Sequence, residues 1–319
     1  MLRLFSASEP EPQLPLGAYA GDLTAIVGTS LVVAVAFGVV HLMVSRALPL
    51  VWPSTSGISS PASSDLIIQV MWLLGCTPLP IMYAVALSEL HSTPLMRWRG
   101  CSEIAEYAFL LHVGSSLYEC ATYVYHGKPW VYMVHHAVVL YCYIGVLYIG
   151  ALHFWFAWAG LVEATNLHVC FLKICLIMNV CRRTVAEAVN GGCLYVTYLL
   201  LRLVSLPLAI AAYAYDAYRF PDTTWGWAMA AGGATPAMAA SAPVCTLVIW
   251  GMSCVWFAPI HKGMMKVLRG DDPTPSQEEL DEHLMKGQKV ASAKQNGSHD
   301  RGRDISPTPT QQQGLKARA

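Results

Sequence analysis

The sequence predicts an all-α polytopic membrane protein of six to seven transmembrane helices with a disordered C-terminal tail. Three observations predict it. The 319-residue chain is 55% hydrophobic and 13% charged, against ~25% charged in soluble domains. Of its 40 Asp, Glu, Lys and Arg residues, 18 follow residue 260, leaving 22 for the first 260 residues, too few to cover a soluble domain of that size. The apolar residues fall in blocks of about 20, the length that crosses a bilayer as a helix. The even balance of 20 basic and 20 acidic residues excludes a nucleic-acid binder steered by bulk charge, and no nucleic-acid partner is expected.

The elements follow in order. Residues 1–22 carry Glu9, Glu11 and Asp22, which do not suit a cleavable signal peptide; a lumenal N-terminal segment is expected. Leu23–Val44 is the first span, and the Ser- and Pro-rich residues 47–64 are a loop, so residues 23–64 form one helix and its connection. A membrane domain is expected over 65–269. Its first span, Leu66–Leu87, should kink at Pro78 and Pro80. Ile104–Val124, Trp130–Gly150, Ala151–Met178 and Cys193–Tyr215 are the next four spans. Residues 216–241, with Pro221 and several Gly, read as a loop with a re-entrant or poorly helical apolar part, and Pro243–Pro259 is the last span. Residues 270–319 are rich in Pro, Ser, Gln, Lys and Asp, the composition of a disordered tail.

Basic residues orient the spans. With Lys262, Lys266 and Arg269 in the cytosol, seven spans also place Arg182, Arg183, Lys128 and Arg46 there. Arg97 and Arg99 break the rule, since they would be lumenal. A cytosolic tail leaves the sequon Asn296-Gly297-Ser298 unglycosylated.

Ionisable groups at membrane depth are expensive, at least ~2.5–3.5 kcal/mol each on insertion scales, so they face the bundle interior and pair. Glu119, His135, His136, Glu163, Lys173 and Arg202 all lie within predicted spans. His112 and Glu119, seven apart, share one helix face. His135 and His136 are about 100° apart on theirs, so one lines the interior while the other bonds a neighbouring helix. Glu163 or Glu119 is expected to pair with Arg202. His41, His91, His126, His153 and His261 sit near span ends or in loops and read as structural. The aromatic run His153–Trp158 reads as an interfacial belt.

The ten cysteines lie mostly in apolar runs without a CxxC pair. They read as small buried hydrophobes, and no metal site is expected.

In order along the chain, these residues resemble the TLC-domain family, which includes the ceramide synthases and the translocating-chain-associated membrane proteins. Gly114 to Glu119 (GSSLYE) is similar to that family's GYF-x-x-D, and Leu161 to Thr165 (LVEAT) to its LxE-x-S. Val134-His135-His136 supplies the double histidine, and Asn190-Gly191 precedes a helix with Leu201-Arg202-Leu203. Ser253 to Phe257 (SCVWF) is similar to N-x-x-W-F, and Lys262 to Lys266 (KGMMK) to K-G-x-x-K. The likeness covers about residues 60–270. Glu119 stands for the usual Asp, Leu167 and Cys170 for a Pro and an Asn, and Ser253 for an Asn. The paired acids of true ceramide synthases are missing: between His136 and Lys173 the only acid is Glu163. The chain therefore looks more like the non-synthase branch.

The resemblance implies a helical barrel, residence in the endoplasmic reticulum (the plasma membrane being the alternative) and membrane lipids as partners, whether sphingolipid, fatty acyl or phospholipid. The first expectation is a protein that binds lipid in an intramembrane cavity and contributes to lipid homeostasis, membrane composition or lipid trafficking. The second is an N-acyltransferase resembling ceramide synthase, with acyl-CoA as co-substrate and no bound cofactor. His135 or His136 would then be catalytic, Glu119 and Glu163 would orient it, and Arg202 would balance charge. The third is a seven-helix receptor or ion-coupled transporter; the chain has no internal inverted repeat. An elongase-type HxxHH motif fails at Tyr132. Nothing in the sequence indicates an oligomeric state.

Overall fold

A computed structural model of the chain describes residues 17–51, 60–126, 129–178, 180 and 184–269. Glu9, Glu11, Lys128, Arg182, Arg183, the tail 270–319 and its sequon lie outside the described residues. The chain divides into two units, Met1–Met264 and Met265–Ala319. The second is described only over 265–269, where the Arg269 amide returns to the Met265 carbonyl (3.2 Å).

The described residues are mostly helical, with no strand. The helices are α1 (Leu23–Val51), α2 (Ser60–Cys76), α3 (Pro78–Leu90), α4 (Pro94–Arg99), α5 (Glu103–Tyr125) and α6 (Trp130–Ile149). After them come α7 (His153–Gly160), α8 (Ala164–Met178), α9 (Val185–Thr197), α10 (Ser205–Arg219), α11 (Trp227–Ala231) and α12 (Thr235–Leu268). A 3-10 turn (Leu161–Glu163) joins α7 to α8, and a π turn (Tyr198–Val204) joins α9 to α10.

Among the described residues six helical stretches are long and apolar enough to cross a membrane: Leu23–Leu50, Asp65–Leu90, Trp130–Ile149, His153–Met178, Val185–Arg219 and Thr235–Leu268. The remaining long helix, α5, has 23 residues, ~34 Å at 1.5 Å per residue. It is the polar one, and it packs against α1, α2, α3 and α6. Its Glu106, His112, Ser115, Ser116 and Glu119 are all buried. The outer helices present apolar side chains outward, such as Val32, Val35, Leu42 and Met43 of α1, a surface suited to lipid rather than water. The bundle thus inverts the soluble pattern, with its most polar long helix inside.

Local chemistry sets the boundaries. Thr93, Ser102 and Thr184 cap α4, α5 and α9, each accepting from a backbone amide three residues on (3.2–3.3 Å). The second span is interrupted where a kink is expected: α2 stops at Cys76 and α3 starts at Pro78, with Thr77 between them still at helical angles (φ −54°, ψ −40°), because a proline at the first helical position supplies no amide to the preceding turn. Gly150 (φ 62°) and Leu152 (φ 66°) are both left-handed, so the chain reverses tightly into α7, where the Leu152 amide is held by the Trp98 carbonyl at 3.1 Å.

Three expectations change. First, α1 runs past Val44 to Val51 and contains Pro49. Second, the last span is longer than Pro243–Pro259 and passes through both prolines, taking in residues read as loop. A mid-helix proline leaves the carbonyl four residues earlier without its amide partner. For Pro243 that carbonyl belongs to Ala239, and it accepts from the Tyr213 hydroxyl of α10 at 2.7 Å. The arrangement is reciprocal: Pro207 takes the i+4 amide from Leu203, whose carbonyl accepts from the Trp250 indole of α12 at 3.2 Å. Third, the aromatic run His153–Trp158 is not an interfacial belt. Phe154, Trp155 and Phe156 are buried, and Trp155 packs against Trp98 and Tyr213. Large rings are what fill the space where α7 meets α3, α4 and α10.

The two arginines that break the positive-inside pattern are engaged. Arg97 forms a two-pronged pair with the buried Asp216, both bonds 2.7 Å, and stacks over Phe154. Arg99 lies over the Trp227 ring at 5.7 Å. A charge already matched by a carboxylate or a π face is a poor guide to orientation.

Candidate functional site

Four elements bring the buried polar groups together. Helix α5 supplies His112, Glu119 and Tyr123; α6 supplies His135 and His136; the α7–α8 junction supplies Glu163, Thr165 and Asn166; the π turn supplies Arg202. Both junctions are irregular, a 3-10 turn on one side and a π turn on the other, and they touch each other. Such turns change which face of a helix the next side chains occupy. Here they let two apolar helices each turn one charged residue inward.

The outer part of the cluster is a carboxylate–imidazole pair. His136 Nε2 stands 3.2 Å from Glu119 Oε2, and both side chains are almost fully enclosed. The same carboxylate oxygen accepts from the Tyr123 hydroxyl at 3.3 Å. With the shared proton on His136 Nε2, its Nδ1 is a bare lone pair; that Nδ1 is buried and has no protein partner. His135 turns to α12, where Trp256 meets its ring edge-to-face at 5.5 Å. Its Nδ1 is likewise buried and unpartnered.

The inner part is a second pair. His112 Nε2 lies 3.9 Å from Glu163 Oε1, and its Nδ1 bonds the Tyr83 hydroxyl of α3 at 2.9 Å. Tyr143 lies beside that imidazole, the centroids 4.7 Å apart. His112 and Glu119 do share a face of α5, but each pairs with a different helix.

Arg202 approaches from the side. Its Nε donates to Thr165 Oγ1 at 2.8 Å, and an Nη donates to Asn166 Oδ1 at 3.1 Å. Asn166 donates in turn to Glu163 Oε2 at 2.8 Å, and the guanidinium lies over the Tyr198 ring at 5.2 Å. Among the described residues Arg202 makes no direct ion pair with Glu163 or Glu119; an amide relays the charge. An Asn offers a donor to one side and an acceptor to the other, so it can sit between an anion and a cation and satisfy both.

Five of the six residues singled out from the sequence, Glu119, His135, His136, Glu163 and Arg202, therefore fall in one cluster: Glu119 bonds His136, Asn166 links Glu163 to Arg202, and the His135 ring lies against that of His136. Lys173 does not: it is exposed on α8. Sequence reading passed over Tyr83, Tyr123, Thr165 and Asn166 as site residues. Tyr123 lies four residues after Glu119 and Asn166 three after Glu163, the helical neighbour spacings, so both carried a signal. Tyr83 carried none, since it arrives from a different helix, α3, and no sequence spacing links it to His112. No group of three or more His, Cys, Asp or Glu suited to hold a metal occurs among the described residues.

Two carboxyls, one guanidinium and three imidazoles are thus enclosed within a membrane bundle, with two imidazole nitrogens left without protein partners. The site can accept hydrogen bonds from a polar group at membrane depth and can take or hand on a proton there.

Comparison with known proteins agrees with this architecture. The family model of the TLC domain matches residues 65–262, from within α2 to within α12. No curated protein and no solved structure matches the chain. The match takes in α5, α6, the 3-10 turn and the π turn, and with them every residue of the network: the chain belongs to the TLC-domain family.

Proposed function

We propose that this TLC-domain protein binds a membrane lipid with its polar part at the His136–Glu119 pair, and so contributes to lipid homeostasis, membrane composition or lipid trafficking. One observation carries the reading: His135 and His136 each keep a buried Nδ1 without a protein partner. Buried polar atoms are ordinarily satisfied, and a lipid head bearing O–H or N–H groups would satisfy these two. The missing acid pair after the double histidine favours the non-synthase branch of the family. The same kinship supports the endoplasmic reticulum as residence, and the basic residues near the end of α12 favour a cytosolic tail.

Lipid mass spectrometry of the gently purified full chain tests the proposal. A defined lipid class should co-purify, and its occupancy should fall about ten-fold or more in Glu119→Gln, a loss of ~1.4 kcal/mol in binding. Equal occupancy in wild type and variant would remove the site from the proposal.

One geometric feature favours a second reading, acyl transfer from acyl-CoA to a long-chain amine. A carboxylate on Nε2 that leaves Nδ1 free is the arrangement of an oriented general base or nucleophile. On this reading His136→Ala abolishes amide formation by a protein that still folds. Absence of product across a broad panel of acyl-CoAs and amines with wild-type protein rejects it.

A further inference from the structure

The α6–α12 seam holds a thiol pair outside the polar network. Met238, Ser241 and Cys245 recur at the i, i+3, i+7 spacing of one face of α12. Each meets α6. Met238 fills the space where a side chain at Gly145 would be. The Tyr141 hydroxyl donates to Ser241 Oγ at 3.0 Å. Cys142 and Cys245 are side-chain neighbours across the seam. Eleven residues further along the same face, Trp256 packs on both Tyr132 and His135. Residue numbers fall on α6 as they rise on α12, so the helices run antiparallel.

Cys142 lies 12 residues into α6, ~18 Å from its start at 1.5 Å per residue, and is buried; Cys245 is half-buried. Both lie inside apolar spans, where aqueous oxidants and glutathione are scarce but oxidised acyl chains are not. We infer that Cys142 and Cys245 form an oxidisable dithiol that a lipid hydroperoxide converts to a disulfide joining α6 to α12. The more accessible Cys245 sulfur attacks the terminal peroxide oxygen. The O–O bond breaks, the lipid leaves as its alcohol, and Cys245 becomes a sulfenic acid. The Cys142 thiol then attacks that sulfur, forming the S–S bond and releasing water, as a neighbouring thiol does with a sulfenic acid. One hydroperoxide and two thiols give one alcohol, one water and one disulfide. The bond would hold the α12 face that carries Trp256 against the helix that carries His135.

The test uses the full chain in phosphatidylcholine nanodiscs with cumene hydroperoxide as the probe. Free thiols are then alkylated under denaturing conditions and the protein is digested without reduction. Mass spectrometry should find a Cys142–Cys245 linked peptide pair that disappears on reduction. The membrane-partitioning peroxide should yield about ten-fold more of it than hydrogen peroxide at equal concentration, as access at depth decides which thiols react. Full alkylation of both cysteines after treatment, or linkage of either one to a different cysteine, overturns the inference.

Discussion

His136 on α6 and Glu119 on α5 are held 3.2 Å apart, imidazole to carboxylate, with both side chains almost wholly enclosed. Hydrogen bonds between helices in membranes average only ~0.6 kcal/mol, because the unfolded chain in lipid also finds partners. Glu119→Gln, which keeps the shape and one acceptor, should therefore lower stability by less than about 1 kcal/mol. It should still reduce lipid occupancy strongly. Thermal unfolding in detergent, run beside lipid analysis, separates the two effects. A variant that lost both in proportion would mark Glu119 as structural only.

Asn166 relays Glu163 to Arg202 (2.8 and 3.1 Å). Asn166→Leu removes the relay and leaves both ends facing an apolar side chain. A loss of about 1–3 kcal/mol is expected, the scale for a buried polar group left unsatisfied. An unfolding midpoint equal to that of the wild type in Asn166→Leu would contradict the relay.

Gly160 sits against the Tyr83 ring. A Cβ there would come within 2.5–2.7 Å of three ring carbons, and the same tyrosine bonds His112 at 2.9 Å. Gly160→Ala should displace Tyr83 and destabilise the bundle by about 1–3 kcal/mol, as overpacking does. Tyr83→Leu in the Gly160→Ala background should recover part of that loss, which a double-mutant cycle measures.

The Tyr213 hydroxyl serves the Ala239 carbonyl that Pro243 strips of its amide partner. Tyr213→Phe should cost about 1–2 kcal/mol in the native background. In a Pro243→Ala background it should cost clearly less, because residue 243 then supplies the missing amide. Equal losses in the two backgrounds would show that the hydroxyl is not replacing a helical hydrogen bond.

A cytosolic tail keeps the Asn296 sequon away from the glycosylation machinery. Peptide-N-glycosidase treatment of the protein from a eukaryotic host should leave its mobility unchanged. A mobility shift removed by mutating Asn296 would put the tail in the lumen and reverse every helix.

Much of the architecture was legible because charge is scarce in the first 260 residues. Glu119, His135, His136, Glu163 and Arg202 stood out against apolar runs, and the cost of burying them predicted that they would meet. Their partners were less legible. Asn166 and Tyr123 lay at helical spacings from the glutamates, but neutral polar residues carry a smaller penalty and draw less notice. Lys173 lay in the same predicted spans yet stands exposed on α8, because the helix face it occupies depends on the 3-10 turn before it. The aromatic run His153–Trp158 misled for a related reason: composition is the same for a belt and a core, and the neighbours of α7 decide between them.

The sequence by itself determined that this is a membrane bundle with its few charges inside, since lipid tolerates neither unpaired backbone groups nor isolated ions. Only the tertiary structure decided which carboxylate meets which imidazole, that an asparagine stands between Glu163 and Arg202, and that α12 runs unbroken through its prolines. Those outcomes rest on contacts between helices far apart in the chain, Tyr213 with Ala239 and Trp250 with Leu203 among them. A carbonyl orphaned by proline is visible in the sequence; the side chain that satisfies it is set by packing.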